Sequence, residues 1–269
     1  MLRRLRSIAS KALGPPQIDE TQISFDLLAD APRVMVDVGA HQGGSLLSYA
    51  EHGWDVHAFE PDPQNRDKLH ERVGSLPNVH IDPRAVSTTD GRLIFLYTSS
   101  VSSGISTLQP FHPSHRATAS VTTVRLDTYL VDHQIPDVGF LKVDAEGHDL
   151  EVLRTFPWNV IHPIVVLCEF EDRKTVPLGH THADIAEFLA AQGYSIVLSE
   201  WHPIIRYGDD HRWRRAIRYP ATPADDAWGN IMAVDQSNVA LLIRKLRFAG
   251  FRLRIRRSAD RLVGVIAPR

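Results

Sequence analysis

The sequence predicts an α/β fold in which a mostly parallel sheet carries helices on both faces. Three observations lead there: short apolar runs recur along the chain, helical stretches separate them, and the first run opens into a glycine-rich turn. Strands of a doubly wound sheet are covered on both sides, so they read as continuous apolar runs rather than alternating ones.

The elements follow in order. Gly14-Pro15-Pro16 breaks the chain, and 17–29 has helical character. Val34 to Val38 is the first strand and ends at Gly39. Ser45 to His52 is helical and stops at Gly53, a common helix terminator. Val56 to Phe59 is the second strand, Pro63 to Val73 a helix, and Val79 to Ile81 the third strand. Leu93 to Tyr97 and Val121 to Val124 are β-rich, and the Ser-, His- and Pro-rich stretch between them reads as a long loop over 99–119. Val138 to Val143 is another buried strand, with a helix soon after Gly147. Ile164 to Glu169, Ser195 to Leu198 and Gly229 to Val234 complete the strands, with helices at 184–192 and 238–248. The economical organisation is a basic segment with a lead-in helix (1–32), one catalytic-sized domain (33–235) with an insertion at about 200–228, and a basic helix or strand extension (236–269).

Composition narrows the function class. The 269 residues, 43% of them hydrophobic, suffice for one full core. A formal net charge of −2 gives no general argument for nucleic acid, and no nucleic-acid module is present. The charge is unevenly spread, however. Nine Lys/Arg face one acid, Asp260, between Gln236 and Arg269, and Arg3, Arg4, Arg6 and Lys11 stand alone at the start. Basic termini suit an anionic surface, so peripheral membrane contact is one expectation. The lone Cys168 excludes an internal disulfide, and its apolar run reads as a buried, inert thiol. No apolar stretch reaches the roughly 20 residues that span a bilayer, which together with the absence of a secretion-like leader predicts a cytoplasmic protein.

The first turn reads Asp37-Val38-Gly39-Ala40-His41-Gln42-Gly43. Glycine lets a nucleoside-like ligand approach the backbone where a strand meets its helix. The dinucleotide fingerprint needs a second glycine where His41 stands, and that glycine admits a pyrophosphate. Its absence favours a ligand without one. Asp37 would likewise repel a pyrophosphate but suits a cationic amino group. Glu60, 23 positions after Asp37, ends the second strand and is followed by Pro61; a carboxylate there accepts both hydroxyls of a ribose. Asp82 and Ala85, after the third strand, are candidates for an adenine amine and ring; Asp82 also reads as an ordinary turn residue before Pro83.

These residues resemble a known family. Val36 to His41 with Gly43, the step Phe59-Glu60-Pro61, and Leu141-Lys142-Val143-Asp144-Ala145-Glu146-Gly147 are similar to the FkbM-like methyltransferases. Gly104 to Leu108, Thr123 to Leu130 and Cys168-Glu169 add to the match, which covers roughly 33–234. The resemblance implies a Rossmann-like class I methyltransferase fold with a seven-stranded sheet, and S-adenosylmethionine as donor. It also implies an O-methyltransferase whose acceptor is a hydroxyl of a saccharide, glycolipid or related natural product, so a small molecule or lipid-linked glycan is the expected partner. Ser103 stands where relatives often carry Asn, and the tail beyond Asp235 lies outside the pattern.

Alcohols are poor nucleophiles, so such chemistry gains from a base or a metal beside the acceptor oxygen. Asp144 ends the fourth strand of the sheet proper, where ligands of these sheets gather. One reading makes Asp144 or His148 the base. Another makes Asp144 and Glu169 ligands of a Mg2+-like ion. Asp144 can also serve simply as a helix cap, and Glu146 reads as structural, paired with Lys142 or a backbone amide. For the acceptor, Ser106 on the long loop and Trp201, Arg206 and Trp213 in the insertion combine hydroxyl, aromatic and cationic groups suited to a sugar. Two rivals stand beside this reading: a nicotinamide-dependent oxidoreductase, against which His41 speaks, and a non-catalytic cofactor-binding scaffold.

Overall fold

The computed structural model describes residues 18–205 and 211–266. The expected doubly wound architecture is present. Its helices are α1 (Glu20–Phe25), α2 (Leu47–Glu51), α3 (Pro63–Val73), α4 (Leu126–Asp132), α5 (Asp149–Leu153), α6 (Asp172–Thr175), α7 (His182–Ala191) and α8 (Val239–Ile266). The strands are β1 (Val34–Val38), β2 (Asp55–Phe59), β3 (Val79–Asp82), β4 (Ala85–Val86), β5 (Leu93–Ser99), β6 (His115–Val124), β7 (Phe140–Val143), β8 (Val165–Phe170), β9 (Ser195–Trp201), β10 (Trp213–Arg218) and β11 (Trp228–Val234).

The main sheet runs β10-β9-β11-β8-β7-β1-β2-β3, and β4-β6-β5 form a small second sheet. Five neighbours, β8-β7-β1-β2-β3, are parallel, while β11 pairs antiparallel with both β8 and β9. Alternate strand residues feed two cores, as the period of 2 requires. Val36, Leu141 and Cys168 pack under α4, α5 and α7. Met35, Phe140 and Leu167 pack under α1, α2 and α8.

Three expectations change. The sheet has eight strands rather than seven, because β10 rises from the expected insertion and pairs with β9. Its polar, arginine-rich sequence hides it: it is an edge strand, and only Ala216 is buried. The long loop is also shorter than expected. His115 to Ala119 continue β6 and pair with Leu96 to Ser99 of β5, but their outward faces carry no apolar alternation. Finally, the expected helix or strand extension is one helix, α8, whose Leu242, Leu246 and Leu253 are buried in the main core. The basic start of the chain lies outside the described residues. Among the described residues no helix is long and apolar enough to cross a membrane.

The turn after β1 shows why its glycine is needed. Gly39 has φ +79°, and a Cβ there would lie 1.9 Å from the backbone oxygen of Asp144. The ends of β1 and β7 approach closely only because that position has no side chain. Left-handed strain alone costs about 1–2 kcal/mol for an L-residue, before any clash. Gly39→Ala is therefore expected to lower the unfolding free energy by at least about 2 kcal/mol. An unchanged urea midpoint would refute this account of the turn.

Candidate functional site

A cleft opens at the carboxyl ends of β1, β2 and β7, where the strands hand over to Gly39, Glu60 and Asp144. The 3-10 turn Ser103–Ile105 and the following residues cover it from the side of the small sheet. Thr107 ties that cover down: its backbone pairs with Tyr97, and its hydroxyl donates to the Glu146 carbonyl at 3.0 Å.

Glu60 is 4% exposed and rigidly held. Its carboxylate accepts from the backbone N–H of His41 at 2.7 Å and of Asp62 at 2.8 Å. Burial raises its pKa to about 8, against the lowering effect of those two N–H groups. A carboxylate offers about four lone-pair sites, so two remain for ligand hydroxyls. Asn65, one turn into α3, adds a second open acceptor. Its Nδ2 donates to the Ser103 carbonyl at 2.9 Å, while its buried Oδ1 has no partner in the chain. A buried acceptor without a donor costs about 1–3 kcal/mol, which a bound donor would recover. With the apolar walls Phe59 and Ala85, these groups fit a nucleoside.

Beneath the turn lies a buried ion pair. Asp37, fully buried, accepts from the Ser45 hydroxyl at 2.5 Å and from Lys142 Nζ at 3.1 Å. Lys142 also lies 3.6 Å from Asp144, whose side chain is 40% exposed at the cleft. Burial by itself pulls the Lys142 pKa down, yet Asp37 and Asp144 raise it above the ordinary lysine value. The lysine of the Lys-x-Asp-x-Glu-Gly run thus holds the first strand's acid to the fourth strand's.

Glu146 occupies a sharp turn with φ +51°, followed by Gly147 at +95°. Asp149 brackets that turn, accepting from the N–H of Ala145 and of Gly147 at 3.0 Å each. Glu146 is among the residues lining the cleft, and its side chain reaches Lys174 Nζ at 2.6 Å, rather than Lys142 or a backbone amide as expected. Lys174, 4% exposed, also lies 3.1 Å from Glu169 and 3.0 Å from Glu171. Three carboxylates share one ammonium. Burial therefore raises Glu146 to about 7 despite Lys174, and raises Glu169 well above the usual carboxylate range.

That arrangement bears on the Mg2+ expectation. Carboxylate oxygens of Asp144, Glu146 and Glu169 lie within 4.8 Å of one another, as ligands of one ion would. However, the Lys174 ammonium already sits against Glu146 and Glu169, in the electrostatic place of a cation. A hard divalent ion would have to share that space with a buried positive charge, so the donor set does not fit it.

The predicted residues divide as follows. Gly39, His41, Glu60, Pro61, Ala85, Ser106 and Asp144 all line the cleft. Asp37, Ala40 and Gly43 support it from behind; a Cβ on Gly43 would meet Leu69 of α3 at 2.8 Å. Asp82 turns away from an adenine role, because both its oxygens are engaged by the Arg84 guanidinium. His148 leaves the cleft as well: its Nε2 lies 3.1 Å from the Ser87 hydroxyl, and burial lowers its pKa. Glu169 lies behind Glu146, bound to Lys174.

The acceptor candidates in the insertion also move. Trp201 is buried, its indole N–H donating to Glu20 at 2.7 Å. Trp213 donates to the Ser199 hydroxyl at 3.0 Å, and its ring packs against Gly250 of α8. Both tryptophans seal the far side of the sheet. Arg206 lies outside the described residues.

Sequence reasoning did not single out Asn65 or Lys174, and it noted Ser103 only as standing where relatives often carry Asn. Ser103 Oγ lies 3.0 Å from His41 Nε2, joining the loop to the first turn. Lys174 carried no signal, since Glu171-Asp172-Arg173-Lys174 reads as a solvated charge run.

The family model described as the methyltransferase FkbM domain matches residues 37–196. A hexuronic acid methyltransferase, AglP of Haloferax volcanii, is 28% identical over 127 residues, which are 47% of this chain and 51% of that protein. The chain thus spans about half the length of the curated relative it matches. Among solved structures, an O-methyltransferase from Bacillus cereus in complex with SAH superposes with a TM-score of 0.44 at 14% identity, covering 87% of this chain and 90% of that one. A precorrin-6y C5,15-methyltransferase from Geobacter metallireducens gives 0.43 at 12% identity, covering 80% and 87%. The chain belongs to the FkbM methyltransferase family, and residues 37–196 are its S-adenosylmethionine-dependent methyltransferase domain.

Proposed function

We propose that this protein is an O-methyltransferase acting on a saccharide hydroxyl, free or lipid-linked. One observation carries the reading: a single cleft is lined at one strand end by Glu60, held by two backbone N–H groups, and at another by Glu146, poised over a buried lysine. S-adenosylmethionine supplies an electrophilic methyl group on a sulfonium. Glu60 holds ribose hydroxyls, the Asn65 carbonyl accepts a further donor, and Phe59 and Ala85 flank the base. Asp144, at the cleft edge beside Gly39, holds cationic groups near the sulfonium. These residues place the acceptor beside Glu146, and alignment of that kind is worth up to about 7–11 kcal/mol in ideal cases.

Glu146 takes the proton of the acceptor hydroxyl. Its pKa near 7 suits a base working at neutral pH. Lys174 then stands next to a neutralised carboxyl instead of a charged one, with Glu169 and Glu171 still at 3.1 and 3.0 Å from its ammonium. His41 and Ser103 border the acceptor side of the cleft; burial lowers the His41 pKa and keeps the ring neutral. The similarity to a hexuronic acid methyltransferase suggests an acidic sugar as the acceptor class.

The experiment is methyl transfer from labelled donor to sugar and glycan fractions, read beside S-adenosylhomocysteine binding. Glu60→Gln is expected to weaken that binding about 10–100-fold, the worth of one charge-assisted contact. Label should survive mild alkali as an ether. Alkali-labile label would mark a carboxylate acceptor and overturn the hydroxyl reading; wild-type binding by Glu60→Gln would overturn the ribose contact.

A further inference from the structure

A second cluster of chemistry-bearing side chains lies three residues down β2 from the cleft, near the open edge of the sheet. β2 and β3 pair in parallel with His57 directly opposite His80. Asp55 precedes His57 by two residues, so the strand period sets all three side chains on one face. The two imidazoles stack with centroids 4.7 Å apart and planes 18° from parallel. His80 Nε2 lies 2.8 Å from one Asp55 oxygen, and His57 Nε2 lies 3.5 Å from the other. One ligand atom from each residue falls within 4.8 Å of the others. None of the three lines the methyl-transfer cleft.

His57 supplies the independent observation. It is 4% exposed, and its Nε2 is one of the few buried side-chain polar atoms among the described residues with no hydrogen-bond partner. Its other nitrogen, Nδ1, lies 3.0 Å from the Tyr129 hydroxyl on α4. When Nδ1–H donates to that oxygen, the proton is held there and Nε2 presents a bare lone pair toward Asp55. A partner on the far ring nitrogen is how metal-ligating histidines are oriented and locked in one tautomer. His80 and Asp55, with side chains 49% and 48% exposed, leave the cluster open to an ion from solvent.

We propose that Asp55, His57 and His80 form a binding site for a zinc-like divalent cation that clips the edge strand β3 to β2. Two imidazoles and one carboxylate match a borderline ion such as Zn2+, with water completing the shell, whereas Mg2+ and Ca2+ take all-oxygen sets. The clip also bears on the cleft, because the far end of the same strand pair carries the bond from the Glu60 N–H to the Asp82 carbonyl at 3.1 Å. An ion that binds only the folded pair raises the melting temperature by mass action.

The test uses the full chain, stripped with chelator and titrated with Zn2+, then with Co2+ as a spectroscopic probe and Mg2+ as a contrast. The proposal expects one equivalent of Zn2+, a raised melting temperature, and a visible Co2+ band of imidazole–carboxylate coordination, with none of these from Mg2+. His80→Ala and Asp55→Asn alter half-exposed side chains and are expected to fold, with Zn2+ affinity lowered at least about 10-fold. A third variant, His52→Ala, controls for adventitious binding by surface histidines and should keep wild-type affinity. Equal Zn2+ affinity in wild type, His80→Ala and Asp55→Asn would overturn the proposal, as would a melting temperature that ignores Zn2+.

Discussion

Glu146→Gln is expected to lower kcat by about 100- to 10,000-fold while leaving S-adenosylhomocysteine affinity within about 3-fold of wild type. The substitution removes proton-accepting capacity and little else. Glutamine keeps an oxygen for the Lys174 ammonium, which now lies 2.6 Å from Glu146. The pH profile makes the prediction specific. Burial raises the Glu146 carboxyl to about 7, so the ionised, proton-accepting form builds up as pH rises through that value. Wild-type kcat should therefore climb from pH 6 to about pH 8 and then level. Glu146→Gln should lose that limb. A variant with near-wild-type kcat, or with the same acid limb, would transfer the role of base to another group lining the cleft.

Lys142→Met is expected to cost about 3–5 kcal/mol of folding stability, the penalty for removing one partner of a buried pair. The physical reason is Asp37, which is fully buried and left with only the Ser45 hydroxyl once Nζ is gone. Pairing the change with Asp37→Asn removes the stranded charge, and the double variant should recover a large part of the loss. Urea unfolding reads both outcomes through the midpoint, with the slope unchanged. Linkage adds a pH signature. The folded lysine has a raised pKa, so its contribution is complete below the unfolded value of about 10.4 and fades only as pH rises beyond it. Lys142→Met should thus be equally destabilised at pH 6 and pH 8. A loss below about 1 kcal/mol would mean that water reaches Asp37 and that the pair is not a buried one.

The two predictions separate the jobs of neighbouring residues in one short run. Lys142, Asp144 and Glu146 alternate along the end of β7 and the turn after it, yet they point to different partners. Lys142 reaches down to Asp37, Asp144 stands at the cleft, and Glu146 reaches across to Lys174. The turn changes the alternation of the strand into divergence, because Glu146 and Gly147 both take left-handed backbone conformations.

Local chemistry determined much of this protein in advance. Apolar runs at regular spacing imply a buried parallel sheet, since no other arrangement hides both faces of so many short strands. The turn around Gly39 and the acid at Glu60 were legible for the same reason: both lie at strand ends, where backbone geometry follows from a few adjacent residues. Gly39, His41, Glu60, Pro61, Ala85, Ser106 and Asp144 accordingly meet in one cleft.

What only the tertiary structure decided are the partners that arrive from distant parts of the chain. Lys174 comes from a charged stretch with no apolar pattern and becomes the counter-ion of Glu146 and Glu169. Ser87, 61 residues away in the chain, lies beside His148. Trp201 and Trp213, whose aromatic and basic surroundings suggested a sugar site, are drawn inward by Glu20 and Ser199, about 180 and 14 residues away. A residue's type and its neighbours in sequence set what chemistry it can do. Which ionic or hydrogen-bonding partner claims it depends on packing over long sequence separations, and those contacts leave no periodic trace in the chain.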